Sequence, residues 1–522
     1  MANQFNKCLE RYQLTVFKEE WGALQRGIEK ESLRVKPDGL ISLSPHPTAL
    51  GSALTNPYIT TDFSEALLEL ITPVSRTIDG CLRELENIHQ YTVQNIENDE
   101  ILWVTSMPCP LRNDTEIPIA QYGKSNIGKL KTLYRQGLHQ RYGSLMQAIA
   151  GIHYNFSMPD SFWESYKTHC KFEGSIQNFK TEKYLHLIRN FHRFSWLLAY
   201  LFGSSPTACK CFVEGREHDL TELDKSTLYK PYATCLRMGS LGYKSEAQES
   251  LFVCYNDLET YVECLGEAIK TPFPEYVKIG HTKDGKHQQI NTNLLQLENE
   301  FYSTVRPKRN VENGEKPLEA LSNRGIEYIE VRALDLDPYS PLGINREQIH
   351  FLDAFLLHCL LAESPDCNKD EFFEVANNLA LVVNRGREPN LQLSSEGNKR
   401  SLKDWSMELI KDIEHSAYIL DNVNQSNEYS ISIFKQEEKI DNPALTPSGR
   451  MLDQMKSENL TFFEFSMKHS KSHSRTLREA KIDETFLEHM QSISNKSLLD
   501  QQEIETSDSI DFETFLEQWN NF

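Results

Sequence analysis

Residues 325–335 read GIEYIEVRALD, the stretch of this chain that most clearly predicts a strand. Apolar and charged side chains alternate along it, and Asp337–Pro338 ends the pattern. With a period of two, one face of this strand carries Ile326, Tyr328, Glu330, Arg332 and Leu334. A carboxylate and a guanidinium therefore lie in the middle of an apolar face, where each needs a partner.

Two segments near the N-terminus show the same combination of an apolar strand pattern and an acidic side chain. Residues 26–35 (RGIEKESLRV) predict a strand with Glu29 and Glu31 on one face. Residues 60–72 (TTDFSEALLELIT) divide in two. The first half could be helical, whereas LLELIT, which precedes a proline, predicts a strand that carries Glu69 between bulky apolar neighbours.

A fourth strand is predicted at residues 151–157 (GIHYNFS), where His153, Asn155 and Ser157 share a face. If the four strands are half exposed, their acids simply face water. Four such strands in one chain instead favour a sheet lined by metal ligands, and oxygen ligands with one imidazole suit Mg²⁺ or Mn²⁺ better than Zn²⁺. The ligands indicated by the strand pattern are Glu29, Glu31, Glu69, His153 and Glu330.

Helical patterns account for much of the remaining chain. Residues 1–24 predict an amphipathic helix, and residues 76–99 and 181–202 predict two more. From about residue 345 onward the pattern is mainly helical. The tail 497–522 contains acids but no Lys or Arg, which predicts a loosely held helix or disorder.

Charge is distributed unevenly along the chain. The net charge is −20, which argues against a general nucleic-acid or membrane-surface binder, because both need a positive face. Residues 117–159 contain no acid, although the average density of acids would place about six there. The cationic and imidazole side chains in this gap are Lys124, Lys129, Lys131, Arg135, His139, Arg141 and His153. This basic segment is typical of a site that receives an anion such as a phosphate or a carboxylate.

Several familiar classes of protein are excluded or disfavoured. The longest wholly apolar run, residues 196–202, is far shorter than the roughly 20 residues of a membrane-spanning helix. The N-terminus lacks the apolar centre of a signal peptide, and the scattered cysteines suit reduced thiols, so we predict a cytoplasmic protein. Neither a Walker sequence nor a strand-linked G-x-G-x-x-G is present. Phosphates would therefore be bound by metal ions and Arg or Lys side chains, although Lys308 and Arg309 are predicted to be surface charges.

Several blocks of sequence together resemble the proteobacterial type of glutamate–cysteine ligase (gamma-glutamylcysteine synthetase). The blocks are RGIEKESLRV, ITTDFSEALLELITP, SMPCPL, QYGKSNIGKLKTLYRQGL, RYGSLMQAIAGIHYNFSMP, YLFGSSPTAC, PYATCLRMGSLGY, QINTNLLQLENEFYSTVRPKR and GIEYIEVRALDLDP. They run in order over residues 22–345, and the resemblance weakens beyond about residue 365. It implies an α+β fold in which a mostly antiparallel sheet, flanked by helices, forms a funnel-shaped active site like the catalytic core of glutamine synthetase.

The resemblance also implies an activity and a set of site residues. The activity is ATP-dependent ligation of the γ-carboxylate of L-glutamate to L-cysteine through a γ-glutamyl phosphate, the first step of glutathione biosynthesis. The implied metal ligands are Glu29, Asp62, Glu69, His153 and Glu330, with Glu31 and Glu327 as further candidates. The implied substrate-binding residues are Phe63, Tyr134, Arg135, Gln147, Arg237, Tyr243 and Tyr302. Asp62 and Arg332 are the implied catalytic residues, with Asp62 accepting the proton of the cysteine amine.

These expectations define a domain organisation and a set of partners. We predict a catalytic core at residues 1–365 and a helical C-terminal region with an acidic tail at residues 366–522. The predicted partners are ATP, L-glutamate, L-cysteine and Mg²⁺ or Mn²⁺, without nucleic acid or membrane. We also predict a monomer, with glutathione as a candidate feedback inhibitor.

Two other classes of function remain open. A glycoside hydrolase could use two of the strand carboxylates as acid and base, although that chemistry does not require the basic segment. A metal-stabilised binding protein could bind a nucleotide without turnover. Release of phosphate from ATP that requires both amino acids would distinguish the ligase from these alternatives.

Overall fold

A large antiparallel sheet is the central element of the fold. The computed structural model describes residues 2–97, 99–108, 111, 113–242, 245–249, 251–312 and 315–521. The described strands are β1 Gln25–Val35, β2 Ile59–Thr61, β3 Leu67–Ile71, β4 Ile101–Leu102, β5 Ile152–Ser157, β6 Thr207–Cys209, β7 Thr221–Glu222, β8 Thr227–Tyr229, β9 Thr282–Lys283, β10 Lys286–His287, β11 Val305–Lys308, β12 Tyr328–Leu334, β13 Gln392–Ser395 and β14 Asn398–Ser401. The large sheet has the order β11-β12-β5-β1-β3-β2, and β4 pairs with β1.

The register of this sheet sets which side chains meet. Glu29 on β1 pairs with His153 on β5, and Glu31 on β1 pairs with Glu69 on β3. Strand β12 flanks β5 on its other side and places Glu330 opposite Asn155. All described pairings in the sheet are antiparallel, and β12 contains a register shift between Val331 and Leu334.

Helices make up most of the rest of the described chain. They are α1 Ala2–Arg11, α2 Ile78–Asn95, α3 Asn126–Tyr142, α4 Ser144–Gln147, α5 Asp160–His169, α6 Ile176–Phe202, α7 Lys210–Val213, α8 Glu246–Glu249, α9 Leu258–Lys270, α10 Pro274–Ile279, α11 Pro317–Arg324, α12 Arg346–Leu361, α13 Lys369–Arg385, α14 Leu402–Asn424, α15 Glu428–Asp441, α16 Pro447–Ser457, α17 Phe462–Glu479, α18 Glu484–Ser507 and α19 Phe512–Asn520. Helix α6 packs against β11 and β12, whereas α2 packs against β1 and β3. Helix α12 lies between α6 and α14 and is buried over almost its whole length. The antiparallel α+β architecture predicted from the sequence is therefore confirmed.

A buried ion pair ties the sheet to helix α12. Arg26 on β1 donates its Nη2 to Asp353 Oδ2 over 2.9 Å, and both side chains are at most 1% exposed. Tyr154 on β5 donates its hydroxyl to the other oxygen of Asp353 over 2.7 Å. One carboxylate thus links two neighbouring strands of the sheet to a helix packed against it.

The four predicted strands are confirmed, and so are helices close to the predicted bounds at residues 76–99 and 181–202. The suggestion of a helix in the first half of residues 60–72 is wrong. Strand β2 and a turn occupy this part, because Ile59 pairs with Leu70 and the turn returns the chain into β3.

Two predictions about the chain ends are corrected. The predicted helix over residues 1–24 ends at Arg11, and Gln13 has a positive φ of 55° that a helix cannot continue through. The tail, predicted to be a loosely held helix or disordered, forms the end of α18 and the helix α19, so the helical alternative is confirmed and the disordered one is wrong. Leu516 of α19 is 2% exposed, so apolar packing holds the tail in place.

Two further properties follow from the described residues. Among them, none of the helices is both long and apolar enough to span a lipid bilayer. Nine of the described cysteines carry free thiols, as predicted, whereas Cys209 is disulfide-bonded, which corrects the prediction for that residue.

A buried histidine is expected to make the fold less stable in acid. His358 on α12 is 2% exposed, and its Nδ1 lies 2.9 Å from the Tyr12 hydroxyl. Burial lowers the pKa of His358 to about 4, whereas an unfolded chain has the ordinary value of 6.5. Between these values the unfolded state binds more protons, so stability should fall as the pH drops from about 6.5 to 4.

The substitution His358→Gln keeps a hydrogen-bonding side chain but removes this titration. Its free energy of unfolding should therefore decline less than that of the wild type between pH 7 and pH 4, with a difference of up to about 3 kcal/mol. Urea unfolding at several pH values measures the difference. If the free energy of unfolding fell equally in the wild type and in His358→Gln, the prediction would be contradicted.

Candidate active site

Carboxylate and imidazole side chains from three neighbouring strands meet on one face of the large sheet. Cross-strand partners point to the same face, so the register brings Glu29 to His153 and Glu31 to Glu69. One ligand atom each from Glu29, Glu69 and His153 lies within 4.8 Å of the other two. A single metal ion could bridge that spacing. We call Glu29, Glu31, Glu69 and His153 the acidic cluster.

Hydrogen bonds fix the orientation of the acidic cluster. His153 Nδ1 lies 3.0 Å from Glu29 Oε2, and its Nε2 lies 3.7 Å from Glu31 Oε1. Asn155 donates its Nδ2 to Glu29 Oε1 over 2.8 Å, whereas its buried Oδ1 has no hydrogen-bond partner among the described residues. A buried amide oxygen beside carboxylates is a further place at which a cation can be bound.

Burial and neighbouring groups shift the pKa values of the carboxyl groups in the acidic cluster. Burial and the neighbouring charges of Glu29 and Asp62 raise the pKa of Glu69 well above its ordinary value. Burial and Asp62 likewise raise the pKa of Glu31. Burial opposes ionisation of Glu29 too, but the hydrogen bond with His153 lowers its pKa. The cluster holds more negative charge than its own contacts neutralise, so its donor set fits a divalent cation.

Glu330 on β12 already has two cationic partners on this face. Its oxygens lie 2.9 Å from Lys308 Nζ and 2.7 Å from Arg332 Nη1. Although burial opposes ionisation, these two cations lower the pKa of Glu330 well below its ordinary value. The contact corrects the prediction that Lys308 is a surface charge, because β11 places it beside the buried acid of β12.

The turn after β2 holds Asp62 and Phe63 close to helix α3. Arg135 of α3 donates its Nε to the backbone oxygen of Asp62, and Tyr122 donates its hydroxyl to the same oxygen over 3.0 Å. The guanidinium of Arg135 lies over the ring of Tyr122, 4.5 Å from its centre. The charge of Asp62 acts on two carboxyl groups of the acidic cluster, so its side chain lies near them.

The cations of the basic segment do not all converge on the acidic cluster. Arg141 is fully buried and pairs with Glu300 over 2.9 Å. Lys129 lies over the ring of Phe512 in the C-terminal helix. Arg135 remains beside the turn that holds Asp62, so part of this segment contributes to the site and part supports the fold.

A cavity of about 160 Å³ opens beside the acidic cluster. Gln147 donates its Nε2 to the hydroxyl of Tyr302 over 2.9 Å and fixes one wall. Arg237 is held in another wall by an ion pair with Asp335, with 3.2 Å from Nε to Oδ1. The lining residues of this inner cavity are Glu31, His153, Arg237, Met238, Tyr302, Ser303, Thr304, Arg332 and Leu379. Its small size and its mostly polar lining suit a small polar substrate.

A larger cavity of about 420 Å³ opens on the other side of the acidic cluster. Glu29 and Asn155 line this outer cavity, whereas Glu31 and His153 line the inner one. The acidic cluster therefore lies between the two cavities. Other residues that line the outer cavity include Gln25, Ser157, Trp163, Lys180, Arg309, Asn310, Glu327 and Tyr328.

The structure brings together the residues that the strand pattern indicated and distributes the others around them. On the sheet face lie Glu29, Glu31, Glu69, His153, Glu330 and Arg332. Phe63 is buried in the turn beside α3, and Tyr134 of α3 is half-buried. Glu327 lies at the rim of the outer cavity with an exposed side chain. Tyr243 lies outside the described residues.

Four residues of the inner cavity were not predicted from the sequence. They are Met238, Ser303, Thr304 and Leu379. Leu379 belongs to helix α13, whereas Ser303 and Thr304 directly follow Tyr302 in an irregular segment. Proximity in sequence to Arg237 or Tyr302 was the only signal for Met238, Ser303 and Thr304, and Leu379 had none, because a cavity wall has no local periodicity.

Similarity to known proteins extends over most of the chain. The sequence model of the family described as glutamate–cysteine ligase matches residues 12–382. The chain belongs to the glutamate–cysteine ligase family. Family members from Alcanivorax borkumensis and Pseudomonas entomophila are each 47% identical to it over 94% of its length, and the match covers 95% and 92% of those proteins.

A solved structure of the glutamate–cysteine ligase family shares the fold. The enzyme from Francisella tularensis, determined in complex with AMP, is 36% identical and superimposes with a TM-score of 0.90. The match covers 95% of this chain and 97% of that one. The family predicted from the sequence blocks is therefore confirmed, and with it the α+β fold.

Proposed function

We propose that this ligase joins the γ-carboxylate of L-glutamate to the amine of L-cysteine and converts ATP to ADP and phosphate. The observation that carries the proposal is the acidic cluster between the inner and outer cavities. Such a site suits transfer of a phosphoryl group from a nucleotide on one side to the γ-carboxylate of glutamate at the acidic cluster, with the amine of cysteine on the other side. The family relatives bear the name of this reaction.

The outer cavity takes ATP in this proposal. Its volume and its aromatic side chains, Trp163 and Tyr328, suit a nucleobase and ribose, and Lys180 and Arg309 supply positive charge. The Francisella tularensis relative forms a complex with AMP, which supports a nucleotide-binding site in this fold. Glu29 at the inner end of the cavity would face the phosphate end of the nucleotide.

Mg²⁺ or Mn²⁺ is the proposed metal. Glu29, Glu69 and His153 would hold it, with Asp62 and Glu330 as further ligands from the neighbouring turn and strand. The unpartnered oxygen of Asn155 and the shifted carboxyl groups fit a bound cation. When bound, such an ion neutralises charge on the transferred phosphoryl group and orients it.

The chemistry requires activation of a carboxylate. An amine does not displace an oxygen from an ionised carboxylate, so the γ-carboxylate must first become a γ-glutamyl phosphate. Arg332 lines the inner cavity beside Glu330, and its guanidinium can hold phosphate or carboxylate oxygens with paired hydrogen bonds. Arg135, beside the Asp62 turn, is the second candidate for contact with glutamate or phosphate.

Cysteine occupies the inner cavity in this proposal. Tyr302, Gln147 and Arg237 form its polar walls, and the family resemblance adds Phe63, Tyr134 and Tyr243. The amine must lose a proton before it attacks the acyl phosphate, and Asp62 is the proposed acceptor of that proton. The carbon–oxygen bond to phosphate then breaks as the amide bond forms.

The test is release of phosphate from ATP by the purified full-length protein. We expect release only when glutamate, cysteine and Mg²⁺ are all present, together with formation of the dipeptide detected by mass spectrometry. Omission of either amino acid serves as the control. Phosphate release without cysteine, or dipeptide formation without ATP, would contradict the proposal.

The same assay separates the alternatives. A glycoside hydrolase would cleave sugar substrates and leave ATP intact. A binding protein would retain the nucleotide without turnover. The core at residues 1–365, the helical region at residues 366–522, the monomeric state, the cytoplasmic location and inhibition by glutathione stay predictions.

A further inference from the structure

The C-terminal tail lies against the outside of helix α3, whose Arg135 contacts the turn that holds Asp62. Helix α19 places Leu516 in an apolar cluster with Leu130 and Leu133 of α3 and with Ile290. Tyr134, which follows Leu133 in α3, packs against the same apolar cluster and also against the main hydrophobic core. Apolar packing thus connects Leu516 to Tyr134, a residue of the proposed cysteine site.

Polar contacts anchor the tail at the start of helix α3. Asp508 Oδ2 accepts a hydrogen bond from the backbone nitrogen of Asn126 over 2.7 Å, and Glu505 Oε1 accepts one from the backbone nitrogen of Lys124 over 2.8 Å. Helix α3 has no acid in its own first turn. Asp508 therefore supplies the negative charge that a helix N-terminus favours.

The far end of the tail is anchored to the segments that lead to the inner cavity. Lys316 donates to the backbone oxygen of Trp519 over 2.7 Å, and Asn520 donates to the backbone oxygen of Ile290 over 3.1 Å. His287 lies 2.7 Å from Glu513. The tail therefore bridges helix α3 and the segment around Ile290 from outside.

The segment around Ile290 connects these anchors to Tyr302. Gln296 Oε1 accepts a hydrogen bond from the nitrogen of Ile290, and its Nε2 donates to the backbone oxygen of Tyr134 over 3.3 Å. Gln296 also sits so close to Gly137 of α3 that any side chain there would collide with it. Gln296 thus holds helix α3 against the segment that leads to Tyr302, which lines the inner cavity.

We propose that residues 505–520, which we call the C-terminal clamp, contain positioning residues for cysteine binding. Asp508 fixes the start of α3, and Leu516 fixes its outer face, so that Tyr134 keeps its place in α3 and Tyr302 keeps its place in the lining of the inner cavity. The inference rests on the proposed function, because it assigns cysteine to that cavity. It explains why a tail that carries only negative charge packs against the basic segment.

The test compares full-length variants of the clamp with matched changes outside it. Leu516→Ala and Asp508→Ala should each raise KM for cysteine on the order of tenfold and leave KM for ATP within about twofold. Leu516→Met should restore the wild-type value, because it keeps the apolar volume. The controls are Leu499→Ala and Glu503→Ala, exposed positions of α18 outside the clamp, and they should behave as wild type.

Hydrogen exchange provides a readout that does not depend on activity. Backbone amides of α3 should exchange faster in Leu516→Ala and Asp508→Ala, whereas amides of β1 should be unchanged. If Leu516→Ala does not fold, Asp508→Ala decides the question. An unchanged KM for cysteine with unchanged exchange in α3 would overturn the inference, and so would an equal rise of KM for both substrates. A wild-type protein without cysteine-dependent turnover would instead refute the proposed function, and the exchange comparison would still decide whether the clamp orders α3.

Discussion

Glu29→Gln, Glu69→Gln and Glu330→Gln are each expected to reduce turnover by at least about 100-fold. Glutamine has nearly the same shape as glutamate but lacks the charge that a divalent cation requires. Glu29 and Glu69 belong to the acidic cluster, and Glu330 holds Lys308 and Arg332 on the same face. Steady-state rates over a range of Mg²⁺ concentrations measure the effect.

The three variants should differ in how they respond to added metal. Glu29→Gln and Glu69→Gln should need more Mg²⁺ for half-maximal activity, because each removes a proposed ligand. Glu319→Gln, an exposed acid in the first turn of α11, is the matched control and should retain wild-type activity. Circular dichroism shows whether each variant folds. Wild-type rates in all three variants at low Mg²⁺ would refute the metal-lined face.

Asp353→Asn is expected to destabilise the protein by about 3–5 kcal/mol. The substitution leaves the guanidinium of Arg26 buried without its counter-charge and weakens the hydrogen bond from Tyr154. Because Arg26 and Tyr154 lie on β1 and β5, the change acts on the two strands that position Glu29 and His153. Urea unfolding at neutral pH measures the loss.

An exposed ion pair supplies the control for this substitution. Asp412 pairs with Arg11 over 2.9 Å, and both side chains are about a third or more exposed to solvent. Asp412→Asn should therefore change the free energy of unfolding by no more than about 1 kcal/mol. Equal effects of the two substitutions would contradict the assigned difference between the buried and the exposed pair.

Local patterns in the sequence predicted the strands that carry the chemistry. The alternation in residues 26–35 and 325–335 placed Glu29, Glu31 and Glu330 on particular faces of strands that the structure contains. Period-two alternation is a property of the extended backbone itself, so it is visible without knowledge of any partner. Alternation fails in turns, which explains the wrong suggestion of a helix before Glu69.

Other features depended on contacts between distant parts of the chain. Lys308 resembled a surface charge because nothing near it in sequence shows that β11 lies beside the buried Glu330. The tail resembled a disordered segment because its composition is acidic, yet Leu516 is buried against a helix almost four hundred residues earlier. Composition reports average tendencies, whereas a single well-fitted apolar side chain can order a segment.

The sequence by itself determined the family, four strands of the large sheet and the identity of most charged groups on the sheet face. Only the tertiary structure decided that Glu29 faces His153, that Glu330 is neutralised by two cations, and that two cavities meet at the acidic cluster. Strand periodicity arises from neighbouring residues, and so it can be read along the chain. Cross-strand register and cavity walls arise from packing between residues that are far apart along the chain, and only the folded chain specifies them.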